Sequence, residues 1–119
     1  MDDYDRAIAF YVGSLGFQLL QDLDLGGGKR WVRVAPPGAV EGSLLLARAV
    51  DPDQVAAIGN QTGGRVGFFL QTDDFARDHA AMLDNGVIFE EAPRVEPYGT
   101  VAVWRDPFGN RWDLIEFSS

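Results

Sequence analysis

The sequence predicts an α+β fold of two βαβββ modules, the first of them lacking its opening strand. Three observations carry this. The chain repeats itself at a constant interval: Asp2-Asp3-Tyr4 returns as Asp73-Asp74-Phe75 after 71 positions, Leu15-Gly16-Phe17 as Asn85-Gly86-Val87 after 70, and Trp31-Val32-Arg33-Val34 as Val101-Ala102-Val103-Trp104 after 70. A fixed offset over three landmarks marks an internal repeat. In both copies an acid-capped helix with apolar spacings of three and four comes before strands that alternate. Finally, the apolar run Val66 to Leu70 stands ahead of the second Asp-Asp, whereas only Met1 stands ahead of the first. The reading is one domain of two modules over residues 1–119. Residues 1–50 form the first module, 51–64 a linker and 65–119 the second.

Each element has a local reason. A helix over 5–14 follows from Ala7, Ile8, Phe10, Tyr11 and Leu15, which share a face, with Asp3 or Asp5 as N-cap and Gly16 as the stop. Phe17 to Leu25 reads as a strand that ends at Gly26-Gly27-Gly28. This triplet precedes a strand rather than a helix and no Gly-Lys-Ser/Thr follows, so it is a hairpin turn and not a phosphate cradle. From Lys29 to Val34 the strand alternates, with Val32 and Val34 on one face and Trp31 and Arg33 on the other. Pro36-Pro37-Gly38 stops it, and Ser43 to Ala47 is a short apolar strand. The linker has room for one helical turn at residues 53–58. The second module follows as strand Arg65 to Thr72, cap Asp74, helix Phe75 to Asp84, stop Gly86, and strands at Val87 to Glu91, Thr100 to Arg105 and Arg111 to Phe117. Asp106-Pro107-Phe108-Gly109-Asn110 turns between the last two.

Composition narrows the function. The chain has 119 residues, 46% of them hydrophobic and 24% charged, which is ordinary for a globular protein. Eighteen acids against ten Lys and Arg give a net charge of −8, a surface that a nucleic-acid backbone repels. With no cysteine, disulfides and thiolate chemistry are excluded. The acidic start is unlike a signal peptide, and the apolar runs fall far short of a membrane span, so a cytoplasmic protein without membrane or nucleic-acid partners is expected. A module of this size buries too little surface alone, and a homodimer is expected.

The residues with chemistry are few. His79 is the only histidine and lies at the rim of an apolar helix stripe with no nucleophile pattern around it, so it reads as structural. Asp2-Asp3 and Asp73-Asp74 suit helix starts, while Glu90-Glu91 on a strand would face opposite ways. More informative is the sheet face turned away from the helices. Trp31 and Arg33 share that face on their strand, and Leu45, Phe69, Gln71 and Asp113 fall on the same side of theirs. Such an apolar lining with a few placed polar groups suits a small-molecule site, and equally the packed seam between two modules. No catalytic residue is fixed by this pattern; Asp113 is the one weak candidate, as a proton acceptor.

Several phrases together resemble the vicinal-oxygen-chelate superfamily, which includes glyoxalase I, ring-cleaving dioxygenases and the fosfomycin- and bleomycin-resistance proteins. They are residues 3–11 with Leu15-Gly16-Phe17, Val66-Gly67-Phe68-Phe69-Leu70 with Thr72-Asp73-Asp74, and Asp106-Pro107-Phe108-Gly109-Asn110-Arg111-Trp112-Asp113-Leu114. The resemblance covers nearly the whole chain. It implies paired modules whose curved sheets enclose a cleft, often in a homodimer. In metal-dependent members it implies four ligands, one from the first and one from the last strand of each module. Here the first position is missing with its strand, and the others fall at Leu45, Gly67 and Asp113. One carboxylate does not hold a divalent ion, so neither metal nor other cofactor is expected. The leading expectation is a metal-free protein that binds a small organic molecule in an aromatic-lined cleft, with Trp31, Phe69 and Tyr98 stacking and Arg33 or Asp113 fixing a polar group. Two rivals stand beside it: a metal-dependent lyase or dioxygenase completed by other residues or a partner chain, and a non-catalytic ligand-sensing or interaction module.

Overall fold

The computed structural model describes residues 1–118, which form two compact units divided between Ile58 and Gly59. The chain is α+β with two sheets and paired βαβββ-like modules. In the first unit, the Asp3 carboxylate accepts the N–H of Arg6 at 3.0 Å and starts α1, Tyr4–Ile8. The helix then widens into a π-helical segment, Ala9–Ser14, where the N–H of Leu15 reaches back to the carbonyl of Phe10 at 3.0 Å. A π turn holds more residues than an α turn. The buried stripe accordingly runs Tyr4, Ala7, Phe10 and Tyr11, with Ile8 and Leu15, expected on that face, only half-buried. Gly16, at φ +76°, ends the segment.

Strands β1 (Gln18–Gly26), β2 (Lys29–Ala35) and β3 (Leu44–Leu45) follow in an antiparallel sheet of that order. Gly27 and Gly28 both take positive φ, as a tight two-residue hairpin turn requires. Leu19 pairs with Val34 but Gln21 with Arg33, so Leu20 is an extra residue, a β-bulge. Val32 and Val34 are wholly buried on the α1 side, where the Arg30 guanidinium also meets Asp5 at 2.9 Å. Among the described residues no strand precedes α1. Met1 nevertheless donates its N–H to Ala47 O (3.2 Å) and accepts from Ala49 N (2.8 Å), the pattern of a parallel bridge. Helix α2, Pro52–Ala57, capped by Asp51, lies in the stretch expected to link the modules.

In the second unit, β4 (Phe68–Gln71) runs parallel to β8 (Arg111–Phe117), which pairs antiparallel with β7 (Gly99–Arg105). Helix α3, Phe75–Asp84, is capped by Asp74. It covers the face that carries Trp104, Trp112 and Leu114, all buried, the two indoles stacked at 5.0 Å. The Glu116 carboxylate accepts the N–H of Phe75 at 2.7 Å on the same side. His79 stacks on Phe75 and meets Phe89 edge-on, a packing role.

The far edge of β7 holds two short strands, β5 (Ile88–Phe89) and β6 (Arg94–Glu96), of which the second was not expected. Between them the Glu91 carboxylate, not a main-chain carbonyl, accepts the N–H of Val103 at 3.0 Å, so the chain leaves the ladder and returns at Arg94. β3, β4 and β5 are shorter than the apolar runs suggested. Among the described residues no helix is long and apolar enough to cross a membrane.

Candidate functional site

Strand β2 presents Trp31 and Arg33 on the face away from α1, and register brings Leu23 opposite Trp31, with Gln21 and Leu45 flanking Arg33. Leu23, Trp31 and Leu45 are 49%, 40% and 51% exposed, an apolar patch around one indole. The Gln21 carbonyl oxygen accepts both the Trp31 indole N–H (3.2 Å) and the Arg33 Nε–H (2.6 Å). Ser43 Oγ takes the Arg33 Nη1 at 3.2 Å. Both neighbours of the Gln21 oxygen only donate, which fixes the amide with its NH2 turned away from them. The sequence places Trp31, Arg33 and Leu45 on this face and gives no sign of Gln21 and Ser43, because cross-strand partners depend on a register that a bulge resets.

The second unit has its own face away from α3. Phe69 pairs with Asp113 and Gln71 with Ile115, which places Phe69, Gln71 and Asp113 on one side as expected. Phe69 is 62% exposed. Tyr98 is half-exposed, in the turn between β6 and β7. Asp113 is half-buried, and its Oδ1 has no hydrogen-bond partner among the described residues. Burial pushes its carboxyl above the usual carboxylate range, with the charges of Arg94 and Arg111 opposing that rise and Glu91 adding to it. Nearby, Glu91 is desolvated too. Its hydrogen bonds from Arg94 (2.7 Å) and the Val103 N–H outweigh this and hold its carboxyl below the usual range. Two carboxylates on one sheet are thus displaced in opposite directions by their surroundings.

Metal coordination does not fit these residues. Among those described, no group of three or more His, Cys, Asp or Glu converges as an ion would need. Leu45 offers no donor. At Gly67 even a Cβ would lie 2.7 Å from the Thr62 methyl, so a longer ligand side chain would have to displace Thr62.

Residues 1–114 match the family model described as Glyoxalase/Bleomycin resistance protein/Dioxygenase superfamily. An uncharacterized protein of Shewanella frigidimarina (strain NCIMB 400) is 51% identical over 119 residues, 99% of this chain and 88% of that protein. Among solved structures, the antibiotic-binding protein TnmS3 from Streptomyces sp. CB03234 is 35% identical with a TM-score of 0.78, over 99% of this chain and 89% of TnmS3. UcmS2 is 28% identical with a TM-score of 0.83, over 95% and 89% of the two chains.

Proposed function

Because the chain belongs to the Glyoxalase/Bleomycin resistance protein/Dioxygenase superfamily, we propose that it is a small-molecule-binding member that works without a metal ion, its ligand held against exposed aromatic side chains. The observation that carries this is Trp31. Its indole is 40% exposed, edged by Leu23 and Leu45 and oriented by Gln21, whereas Trp104 and Trp112 are buried. An oriented, part-open aromatic with apolar neighbours and a few fixed polar groups is suited to stacking a planar organic ligand. Phe69, with Gln71 and Asp113 on the same side of its sheet, offers a similar mixture on the second unit. Similarity to TnmS3, an antibiotic-binding protein, supports the same reading. Exposed apolar side chains elsewhere, such as Phe68, Ile88 and Val95 on the second unit, also favour a homodimer.

Quenching of indole fluorescence tests the assignment, since a ligand at the surface reaches Trp31 before the two buried indoles. Trp31→Ala removes the reporting indole, so its affinity is read by titration calorimetry: it should weaken binding of a planar aromatic probe by about 1–3 kcal/mol, and should destabilise the fold less than Leu114→Ala, a change at a wholly buried position. If Trp31→Ala leaves affinity untouched and unfolds the protein, Trp31 is packing and the reading is wrong.

A further inference from the structure

We infer that the Trp31 face selects planar aromatic ligands that carry a negative charge, with Arg33 as the group that reads the anion and Gln21 as the residue that positions it. This deepens the proposed function and rests on it.

In a chain of net charge −8, acids are plentiful, and Arg6, Arg30, Arg77, Arg94, Arg105 and Arg111 each lie within ion-pair distance of at least one. Arg33 does not. Its two hydrogen-bond acceptors are neutral, the Gln21 amide oxygen and the Ser43 hydroxyl, and among the described residues no carboxylate lies within 4.0 Å of it. A guanidinium has five N–H donors, of which these bonds use two. Arg33 is half-buried, so its charge is less screened than that of an arginine reaching into water. The remaining donors form a fork suited to a planar oxyanion such as a carboxylate.

The same Gln21 oxygen that holds Arg33 holds the indole of Trp31. Stacking surface and cation are therefore locked to one another through a single acceptor. A ligand that stacks on the indole with an anionic substituent at its edge would satisfy both at once. A cationic ligand, which the overall charge alone would favour, meets an uncompensated positive charge here.

The experiment compares 1-naphthoate with its neutral counterpart 1-naphthamide by fluorescence quenching at low salt. The wild type should bind naphthoate about ten-fold or more tightly, as a charge-assisted pair implies. Arg33→Gln should bring the naphthoate-to-naphthamide affinity ratio close to one. Gln21→Glu keeps an acceptor for both donors but supplies Arg33 with an internal counter-charge, so it should fold normally and also lose the preference. Gln21→Ala should lower the naphthoate-to-naphthamide ratio, a readout that a merely structural role would not move. Equal wild-type affinity for the two probes overturns the anion assignment and leaves the small-molecule reading standing. Binding of neither probe overturns the inference. So does sedimentation showing a dimer that Trp31→Ala converts to monomer, since the face then belongs to a second copy.

Discussion

Replacing Asp106 tests whether the most recognisable phrase of the chain is architecture or chemistry. Asp106 is only 5% exposed, and its carboxylate accepts the N–H of Phe108 (2.9 Å), the N–H of Asn110 (2.9 Å) and the Asn110 side-chain amide (2.8 Å). The five residues between β7 and β8 are folded around this one group. Hydrogen bonds to a charged partner are worth about 1.5–3 kcal/mol each. Phe108 and Asn110 are half-buried, so water recovers part of the loss, and Asp106→Ala should cost about 3 kcal/mol. Unfolding entropy of about 2.1 cal/mol/K per residue over 119 residues gives about 0.25 kcal/mol/K, hence a fall in Tm of about 12 °C. Asp106→Asn keeps Oδ1 for both main-chain donors but sets an NH2 against that of Asn110, and should fall about half as far. Differential scanning calorimetry measures both. A loss below about 3 °C for Asp106→Ala would mean that the turn holds without its carboxylate, and would refute the structural reading.

Asp113→Asn addresses the second unit. Burial raises the folded pKa of Asp113 above its ordinary 3.8, so the folded state binds the proton more tightly than the unfolded chain. The stability linked to it is full below the unfolded pKa and lost as pH rises through the folded value. The amide should therefore raise Tm at pH 7 relative to wild type and lose that advantage well below pH 3.8; a lower Tm at pH 7 would show that the charge is stabilising after all. Gly99→Ala should cost on the order of 3 kcal/mol, because φ is +152° and a Cβ would lie 2.1 Å from the Glu116 carbonyl oxygen. Urea unfolding that finds this variant within error of wild type would mean that the end of the β7–β8 ladder is free to open.

Much of this was readable from residues alone because the signals were local. Helix α3 and strand β8 begin and end where the pattern put them, since Asp74 caps one and alternation defines the other. The opposite facing of Trp31 and Arg33 against Val32 and Val34 follows from the period of a strand. What was not legible involves an irregular hydrogen bond. The π segment keeps the composition of an α-helix, so its extra residue leaves no mark on the sequence. Strand β6 depends on the Glu91 side chain replacing a backbone acceptor, which no periodicity records. Gln21 and Ser43 became visible only with the register of β1 and β3 against β2.

Leu20 gives the first unit slack. The upstream end of β1 is anchored to the π segment, where the N–H of Phe17 reaches the Tyr11 carbonyl at 2.9 Å, and the downstream end is anchored by the glycine hairpin. Each anchor imposes its own count of residues, and two residues of β1, Leu20 and Leu25, are left over between them. The bulge at Leu20 absorbs the upstream one, so Leu19 can still meet Val34 while Gln21 meets Arg33. Removing Leu20 would leave both pairings in place, whereas removing Leu19, Gln21 or Asp22 would force a paired residue to change partners. Length variation among relatives should accordingly collect at this position, where one residue is spare and the face bearing Trp31 does not depend on it.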